Sequence, residues 1–287
     1  MDRSVHRSTA HGGGGVSLVM DFAGKVVAVT GGSRGVGRGV VEAFLDAGAE
    51  VEFCGRAEPE TLPARDGRTA SFRPVDVRDA AQNQAWIDGI AERRGRLDVL
   101  VNNVGGSPFG RFEAGSPRYF QAITEINFLS AAVATRAAFE PLRAHRGSVI
   151  NITSISARRP SPGTAVYGAA KAALESLTRS LAVEWAPEIR VNAVSSGLVH
   201  TESAVDHYGT PEQYAEIART IPRGRLASPQ ELGAVCVMLA SPFSAHITGA
   251  IVPVDGGGEW PAFLTHTPNA DIVQQADRLD ITEGNPS

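Results

Sequence analysis

A tyrosine and a lysine four residues apart are the strongest chemical signal in the sequence. Tyr167 and Lys171 lie in a stretch with helical periodicity, so their spacing places both side chains on one helix face, about 5–6 Å apart at Cβ. A phenol with its ordinary pKa of about 10 exchanges protons poorly at neutral pH. A nearby ammonium stabilises the phenolate and lowers that pKa. The pair predicts a proton-transfer site.

Two further observations bear on this prediction. Lysine is rare in the chain: Lys25 and Lys171 are the lysines among 27 basic residues, and the others are arginines. Ser154 follows the apolar strand pattern of residues 148–152, thirteen positions before Tyr167. From the end of a strand its hydroxyl can hydrogen-bond a substrate carbonyl. A serine after a strand is also a common turn former, so both interpretations stay open.

A glycine-rich turn between a predicted strand and a predicted helix indicates a nucleotide site. It begins at Thr30 and reads Thr-Gly-Gly-Ser-Arg-Gly-Val-Gly. Such glycines allow a tight turn and a close approach of the backbone to a pyrophosphate, while the helix N-terminus offers free N–H groups and a positive dipole end. The predicted phosphate-binding residues are Gly31, Ser33, Arg34, Gly35, Val36 and Gly37.

The residue after the second strand indicates which nucleotide binds. An NAD site usually carries an acidic side chain there, which accepts hydrogen bonds from the adenosine ribose. Here Gly55 and Arg56 occupy these positions, and Arg34 lies in the glycine turn. A guanidinium can bind a 2′-phosphate through two parallel hydrogen bonds. We therefore favour NADP(H) over NAD(H), and two merely exposed arginines are the alternative.

Strand and helix patterns alternate along the chain and predict the elements that position these residues. This alternation is typical of a parallel sheet with right-handed crossovers and helices on both faces. Ligands of such sheets bind beyond the carboxyl ends of the strands. The predicted strands are 25–30, 50–54, 71–75, 97–101, 148–152, 190–194 and 250–254. The predicted helices are 35–47, 80–93, 119–143, 165–185 and 229–240.

Composition excludes several other classes of protein. The formal net charge of the 287 residues is −4, whereas a nucleic-acid-binding protein needs a basic surface. Apolar runs are too short for a membrane span. Cys54 and Cys236 form no disulfide framework, and the seven-residue gap between His200 and His207 is not a helical metal pair, so we predict no metal site and a cytoplasmic location.

The two ends of the chain differ from its middle. Residues 1–19 are polar and glycine-rich, which predicts a flexible tail. Residues 20–261 carry every motif and are predicted to form the single NAD(P)-binding domain. Residues 262–287 form a polar extension with weak helical character from 270 to 279, and this extension either is disordered or packs on a partner subunit.

Taken together, the motifs resemble those of the short-chain dehydrogenase/reductase family, in its 3-oxoacyl-reductase-like branch. The resemblance covers residues 21–260 and rests on several motifs in the right order. Besides the glycine turn, the serine and the Tyr167/Lys171 pair, the matching residues are Asp76-Val77, Asn102-Asn103-Val104-Gly105, Asn127 and Val254-Asp255-Gly256-Gly257.

The resemblance implies a fold, a reaction and a role for each matching residue. The fold is α/β, a Rossmann-type doubly wound parallel sheet of about seven strands, and the reaction is hydride transfer between NAD(P) and a carbonyl or alcohol. Tyr167 is implied as the general acid, Ser154 as the group that polarises the carbonyl, Lys171 as the ribose ligand that lowers the tyrosine pKa, and Asn127 as the anchor of a proton-relay water. The implied contacts to the cofactor come from Asp76, Val77, Asn103, Gly105, Val199 and Thr201.

The chain departs from the family pattern at two places. Val104 replaces the usual alanine, and Ser195-Ser196-Gly197 replaces the usual Pro-Gly after the sixth strand. Loss of the proline predicts a looser segment before Val199 and Thr201. The same resemblance implies that the substrate pocket is lined by residues 106–112, 156–163 and 198–225. Within the second of these segments, Arg158 and Arg159 either attract an anionic substrate or are ordinary surface residues.

Three hypotheses about function remain at this point. The first is an NADPH-dependent reductase of a ketone, for example a 3-oxoacyl thioester, a steroid-like ketone or a small cyclic ketone. The second is an NAD-dependent alcohol, sugar or hydroxysteroid dehydrogenase. The third, a non-catalytic cofactor-binding regulator, fits poorly because Tyr167 and Lys171 are both present. Family members commonly form homodimers or homotetramers, so the expected partners are a small molecule and further copies of the chain.

Overall fold

Seven parallel strands form the central sheet of the protein. A computed structural model describes residues 20–203, 208–268 and 270–274. The strand order is β5-β2-β1-β6-β7-β8-β9, so the chain starts in the middle of the sheet and winds outward in both directions. The bounds are β1 Val26–Thr30, β2 Glu50–Gly55, β5 Ser71–Pro74, β6 Val99–Asn102, β7 Ser148–Ser154, β8 Arg190–Ser196 and β9 Ile251–Val254. The predicted doubly wound α/β fold is confirmed.

Helices cover both faces of this sheet. On one face α1 and α8 pack together, and on the other α2, α4 and α5 contribute to the core. The bounds are α1 Gly35–Asp46, α2 Ala80–Arg94, α3 Pro117–Thr124, α4 Ser130–Ala137, α5 Phe139–Ala144, α6 Ala165–Glu184, α7 Pro211–Arg219, α8 Pro229–Ala240 and α9 Asp271–Gln274. None of the described helices is both long and apolar enough to cross a membrane.

The strand β1 shows why the sheet strands read as unbroken apolar runs. All five of its residues are buried. Val27 and Val29 belong to the core beneath α1 and α8, whereas Val26 and Ala28 belong to the core on the opposite face. Because side chains alternate between the two faces of a strand, a sheet covered on both sides needs apolar residues at every position.

The single helix predicted over residues 119–143 is wrong, because the chain forms several shorter segments there. A π-helical turn, Glu125–Leu129, separates α3 from α4. Within this turn the Nδ2 of Asn127 donates to the carbonyl oxygen of Ile123 at 2.9 Å, so a side chain enters the helical hydrogen-bond ladder. Insertions of this kind are a recognised cause of local widening of a helix.

The sequence-based prediction missed two elements. The helix α7 begins with a capping box, in which Thr210 and Gln213 satisfy each other's backbone N–H groups. A two-stranded hairpin pairs β3 (Ala64–Arg65) with β4 (Arg68–Thr69). Of the helical segment predicted at 270–279, α9 covers Asp271–Gln274. The predicted tail 1–19 and the rest of the C-terminal extension, 275–287, lie outside the described residues.

A buried polar chain connects the sheet to the helices that carry the candidate site. Nδ2 of Asn102 on β6 donates to Oδ1 of Asn151 on β7 and to Oγ1 of Thr135 on α4, both at 2.8 Å. Nδ2 of Asn151 in turn donates to Oγ1 of Thr178 on α6 at 2.9 Å. Since an unpaired buried amide costs about 1–3 kcal/mol, this network fixes the position of α6 relative to β7.

Candidate active site

A cleft of about 690 Å³ opens where the carboxyl ends of β1, β2, β6, β7 and β8 meet. Most of the residues predicted from the sequence line it, namely Gly31, Ser33, Arg34, Gly35, Val36, Gly37, Arg56, Asp76, Val77, Asn103, Gly105, Tyr167, Lys171 and Thr201. The other three, Ser154, Asn127 and Val199, are buried behind this surface. One edge of the sheet therefore brings together residues that are up to 170 positions apart in sequence.

The glycine turn leaves no room for larger side chains at two positions. Gly31 has a φ of +70°, and a Cβ there would lie 2.8 Å from Cγ2 of Val104. A Cβ on Gly37 would lie 2.0 Å from the carbonyl oxygen of Gly31. The N-cap of α1, Arg34, makes no side-chain capping bond. The turn therefore brings bare backbone to the cleft, which is the arrangement that a phosphate ligand needs.

Asn103 lines the cleft and is also hydrogen-bonded to the glycine turn. Its Nδ2 donates to the carbonyl oxygens of Thr30 and Gly31, each at 3.1 Å, and its own N–H donates to Oγ1 of Thr30 at 2.9 Å. These bonds hold the end of β6 against the glycine turn. Asn103 thus shapes the adenosine side of the cleft by positioning the backbone of that turn.

The serine, tyrosine and lysine meet at the floor of the cleft. Ser154 is the last residue of β7, whereas Tyr167 and Lys171 lie on successive turns of α6. The Ser154 hydroxyl is hydrogen-bonded to the Tyr167 phenol. Nζ of Lys171 donates to the carbonyl oxygen of Ile152 at 2.9 Å and lies 5.8 Å from the centre of the Tyr167 ring.

Burial shifts the pKa values of Tyr167 and Lys171 on α6. Lys171 is 3% exposed, and burial lowers the pKa of its ammonium to about 8. Burial raises the pKa of the Tyr167 phenol above its ordinary value, and the hydrogen bond from Ser154 opposes that rise. The lowered phenol pKa expected from the lysine is therefore not a property of the protein alone. A further positive charge at the site is needed to produce it.

Asn127 is held on the other side of the lysine. Its Oδ1 accepts from the N–H of Gly106, and its Nδ2 donates to the carbonyl oxygen of the same residue, both at 2.8 Å. A Cβ placed on Gly105 would lie 2.6 Å from Oδ1 of Asn127 and 2.9 Å from Nζ of Lys171. The absence of a side chain at Gly105 thus allows the amide and the ammonium to approach the same point.

At the adenosine end of the cleft, the Asp76 carboxylate is paired with Arg78. Arg78 binds Asp76 through Nε and Nη2, and this contact, with a smaller electrostatic contribution from Arg56, lowers the pKa of Asp76 to about 2. Arg34 and Arg56 also line the cleft. The sequence prediction missed Arg78, although its position two residues after Asp76 was a usable signal. Asp76 lines the cleft, and in the free protein its carboxylate is paired with Arg78. Its implied contact with an adenine stays a prediction.

Backbone contacts connect the segment after β8, which lacks the usual proline, to its neighbours. Ser195 and Ser196 continue β8, and Ser196 pairs with Val254 of β9. Val199 forms a bridge with Ala227, and the N–H of His200 donates to the Ala227 carbonyl at 2.8 Å. The looser segment expected from the missing proline stays a prediction.

The sequence reasoning also missed Glu202, which directly follows the predicted cofactor ligand Thr201. Its Oε2 accepts from the N–H of Gly35, at the start of α1, at 3.0 Å. Glu202 and Gly35 are separated by 167 positions, so no local sequence pattern predicts this contact.

Aromatic side chains occur in two segments that also contribute residues to the cleft lining, Pro108 in one and Thr201 in the other. Tyr214 contacts His200 edge to face at 5.5 Å, and Tyr208 lies 6.3 Å from Tyr214 between ring centres. His207 lies outside the described residues. The loop that follows β6 carries Phe109, which is 82% exposed, and Phe112, which is 60% exposed.

Both candidate anion-attracting arginines of the pocket are engaged in ion pairs. Arg158 binds Glu175 at 3.3 Å, and Arg159 binds Glu259 at 2.7 Å. Among residues 20–203, 208–268 and 270–274, no group of three or more His, Cys, Asp and Glu side chains is placed to hold a metal ion.

Comparisons with known proteins agree with this arrangement. Residues 31–259 match the family model described as enoyl-(acyl carrier protein) reductase. A tropinone reductase homolog of Arabidopsis thaliana, described as chloroplastic, is 37% identical over 240 residues, which are 80% of this chain and 74% of that protein. The 3-oxoacyl-[acyl-carrier-protein] reductase of Chlamydia pneumoniae is 34% identical over 242 residues, which are 82% of this chain and 96% of that protein.

A solved structure shows the same fold. The aldohexose dehydrogenase of Thermoplasma acidophilum, in its ligand-free form, superposes with a TM-score of 0.77 at 31% identity, over 83% of this chain and 94% of that one. Fold, site geometry and sequence similarity thus lead to one conclusion. The chain belongs to the short-chain dehydrogenase/reductase family and is an oxidoreductase that acts on CH–OH or ketone groups.

Proposed function

We propose that the protein is an NADP(H)-dependent reductase that converts a ketone to a secondary alcohol. The observation that carries this proposal is the floor of the cleft, where the Ser154 hydroxyl contacts the Tyr167 phenol and the Lys171 ammonium lies one helical turn away. This arrangement offers a hydrogen-bond donor and a proton donor to one oxygen atom. A ketone oxygen that becomes an alkoxide needs both.

The residues of the cleft fit a nicotinamide dinucleotide. The backbone exposed by Gly31 and Gly37 suits a pyrophosphate, and α1 begins directly behind it. Arg34 and Arg56 are the proposed ligands of a 2′-phosphate. Lys171 reaches the same cleft from α6 and is the proposed ligand of the nicotinamide ribose. When bound, the reduced cofactor supplies the hydride that is added to the carbonyl carbon.

The chain's own residues perform the proton chemistry of the proposed reaction. Ser154 Oγ donates a hydrogen bond to the carbonyl oxygen and orients the substrate. Tyr167 Oη gives its proton to that oxygen as the negative charge develops, and the Lys171 ammonium stabilises the phenolate left behind. Asn127 keeps its amide next to Gly105 and Lys171, where it is the proposed anchor of the water that returns a proton to the tyrosine.

Aromatic side chains in the loop that follows β6 favour a substrate with an apolar substituent beside its ketone. Phe112 stacks on Phe120 with 4.9 Å between ring centres, and the exposed Phe109 packs against Gly163. The same loop contributes Pro108 to the lining of the cleft, which Tyr167 also lines. Tropinone reductase and 3-oxoacyl reductase names among the relatives support a ketone substrate. The aldohexose dehydrogenase neighbour supports the alternative, an NAD-dependent sugar or alcohol dehydrogenase.

The proposal includes a homo-oligomer, a dimer or a tetramer, located in the cytoplasm. Val183 on α6 is 80% exposed, and Leu129, next to α4, is 46% exposed. Apolar side chains on neighbouring helices are suited to contact a second copy of the chain. Family members commonly associate through helices at these positions, which is the second support for this part of the proposal.

The function is tested by following NADPH absorbance with a panel of aryl, cyclic and 3-oxoacyl ketones. We expect turnover of at least one ketone class, and we expect Tyr167→Phe to lower kcat about 100-fold or more, because the proton donor is lost. Unimpaired reduction by Tyr167→Phe would falsify the proposed chemistry.

The kcat/KM of reduction should fall as the pH rises through about 8, since Lys171 carries its charge below that pH and loses it above.

The packing around Gly105 predicts the effect of a single methyl group. Gly105→Ala should lower kcat/KM about 10–100-fold, because its Cβ displaces Asn127 or Lys171. Gly89→Ala on α2 is the control, since a Cβ there meets only the end of the flexible Arg93 side chain, away from the cleft, and it should stay within about twofold of the parent. Equal activities of the two variants, with unchanged circular dichroism, would show that this close approach is not required.

The assignment of NADP(H) depends on Arg56. Arg56→Ala should raise the Kd of NADPH about tenfold and leave that of NADH unchanged, because NADH lacks the 2′-phosphate. Arg68→Ala removes the same charge from an exposed position of β4 and should change neither value. Titrations of cofactor fluorescence measure both constants. If the parent binds NADH more tightly than NADPH, the NAD-dependent alternative is favoured.

A further inference from the structure

The N-terminus of α1 already has an acidic partner in the free protein. Glu202 extends from the segment after β8, and its Oε2 accepts the Gly35 N–H at 3.0 Å. The first turn of α1 contains no acidic residue, and Arg34 provides no side-chain cap. A carboxylate from a distant part of the chain therefore satisfies a donor that the local sequence leaves open.

This carboxylate lies at the glycine turn, which is the proposed pyrophosphate site. Gly35 belongs to the glycine turn that lines the cleft, and Thr201 and Ser203 line the same cleft on either side of Glu202. A carboxylate and a phosphate use the same features of a helix N-terminus, namely free N–H groups and a positive dipole end. The two anions cannot occupy this position together, because they compete for one N–H and repel each other.

The base of the Glu202 segment is fixed, whereas the carboxylate itself is weakly held. The bridge between Val199 and Ala227 fixes the chain three residues before Glu202, and the Thr201 side chain packs beside Gly35. Glu202 is exposed, and within the part of the chain that the structure describes its carboxylate pairs with no cation. A side chain held in this way can leave the helix without a change in the fold.

We propose that Glu202 is an affinity-determining residue of the cofactor site, whose carboxylate occupies the pyrophosphate position until a dinucleotide displaces it. The inference rests on the proposed cofactor site at the glycine turn. In the free protein the Glu202 carboxylate caps the N-terminus of α1, and the dinucleotide has to break this contact each time it binds. Glu202 therefore weakens cofactor binding and favours release of the spent cofactor.

The test compares the affinities of Glu202→Gln, Glu202→Ala and the parent for three ligands. NADPH and NADH are titrated by fluorescence, and ADP-ribose, which carries the pyrophosphate without the nicotinamide, is titrated by competition or calorimetry. We expect both variants to bind each ligand about three- to tenfold more tightly, by a similar factor. Adenosine, which has no phosphate, should bind no better than it does to the parent.

The matched control is Glu92→Gln, which removes the same charge from an exposed position on α2 and should leave all affinities unchanged. Unchanged or weaker binding of ADP-ribose by both Glu202 variants would overturn the inference. This outcome is distinct from failure of the proposed function, because ADP-ribose binding requires neither hydride transfer nor a 2′-phosphate. A loss of NADPH preference in the parent would leave the Glu202 result untouched.

Discussion

A buried ammonium is the constraint on which the candidate site depends. Lys171 is almost fully withdrawn from water, and the fall of its pKa from 10.5 to about 8 corresponds to about 3 kcal/mol of lost solvation. The backbone carbonyl of Ile152 accepts a hydrogen bond from this ammonium at 2.9 Å. The fold keeps the charge there because α6 is bound to the sheet through Thr178 and Asn151, so the helix cannot turn the amine toward solvent.

Polar residues at and after the ends of the strands hold the backbone around this site. Each central strand ends in a residue that either bonds its neighbour or faces the cleft, and the neighbouring turns are held together in this way. Asn103 bonds the glycine turn, while Asn127 bonds the loop that follows β6. As a result the backbone around the proposed cofactor is positioned by side chains of other strands. Binding then needs little rearrangement apart from the displacement of Glu202.

The sequence predicted the sheet well because buried strands leave a strong local signal. The strands β1, β2 and β7 lie within two residues of their predicted bounds, since each is largely buried and rich in β-branched and other apolar residues. The helix expected over 119–143 failed because the Asn127 side chain enters the backbone ladder, an interaction that no periodicity reveals. The helix α7 was missed although Thr210 and Pro211 mark its start.

The sequence predicted which residues line the site, but it did not predict their charge contacts or their pKa shifts. Motif spacing led to Tyr167, Lys171 and the glycine turn, and the structure brings them to one cleft. The contact of Glu202 with Gly35, and the raised pKa of the Tyr167 phenol, arise from packing between distant segments.

The most direct test of the proposed proton transfer is to measure the pKa of Tyr167 by NMR of the four ¹³C-labelled tyrosines, with Tyr167→Phe for assignment. The account predicts a large drop on saturation with NADP⁺ that Lys171→Met abolishes, and a pKa that stays at its free value would contradict it.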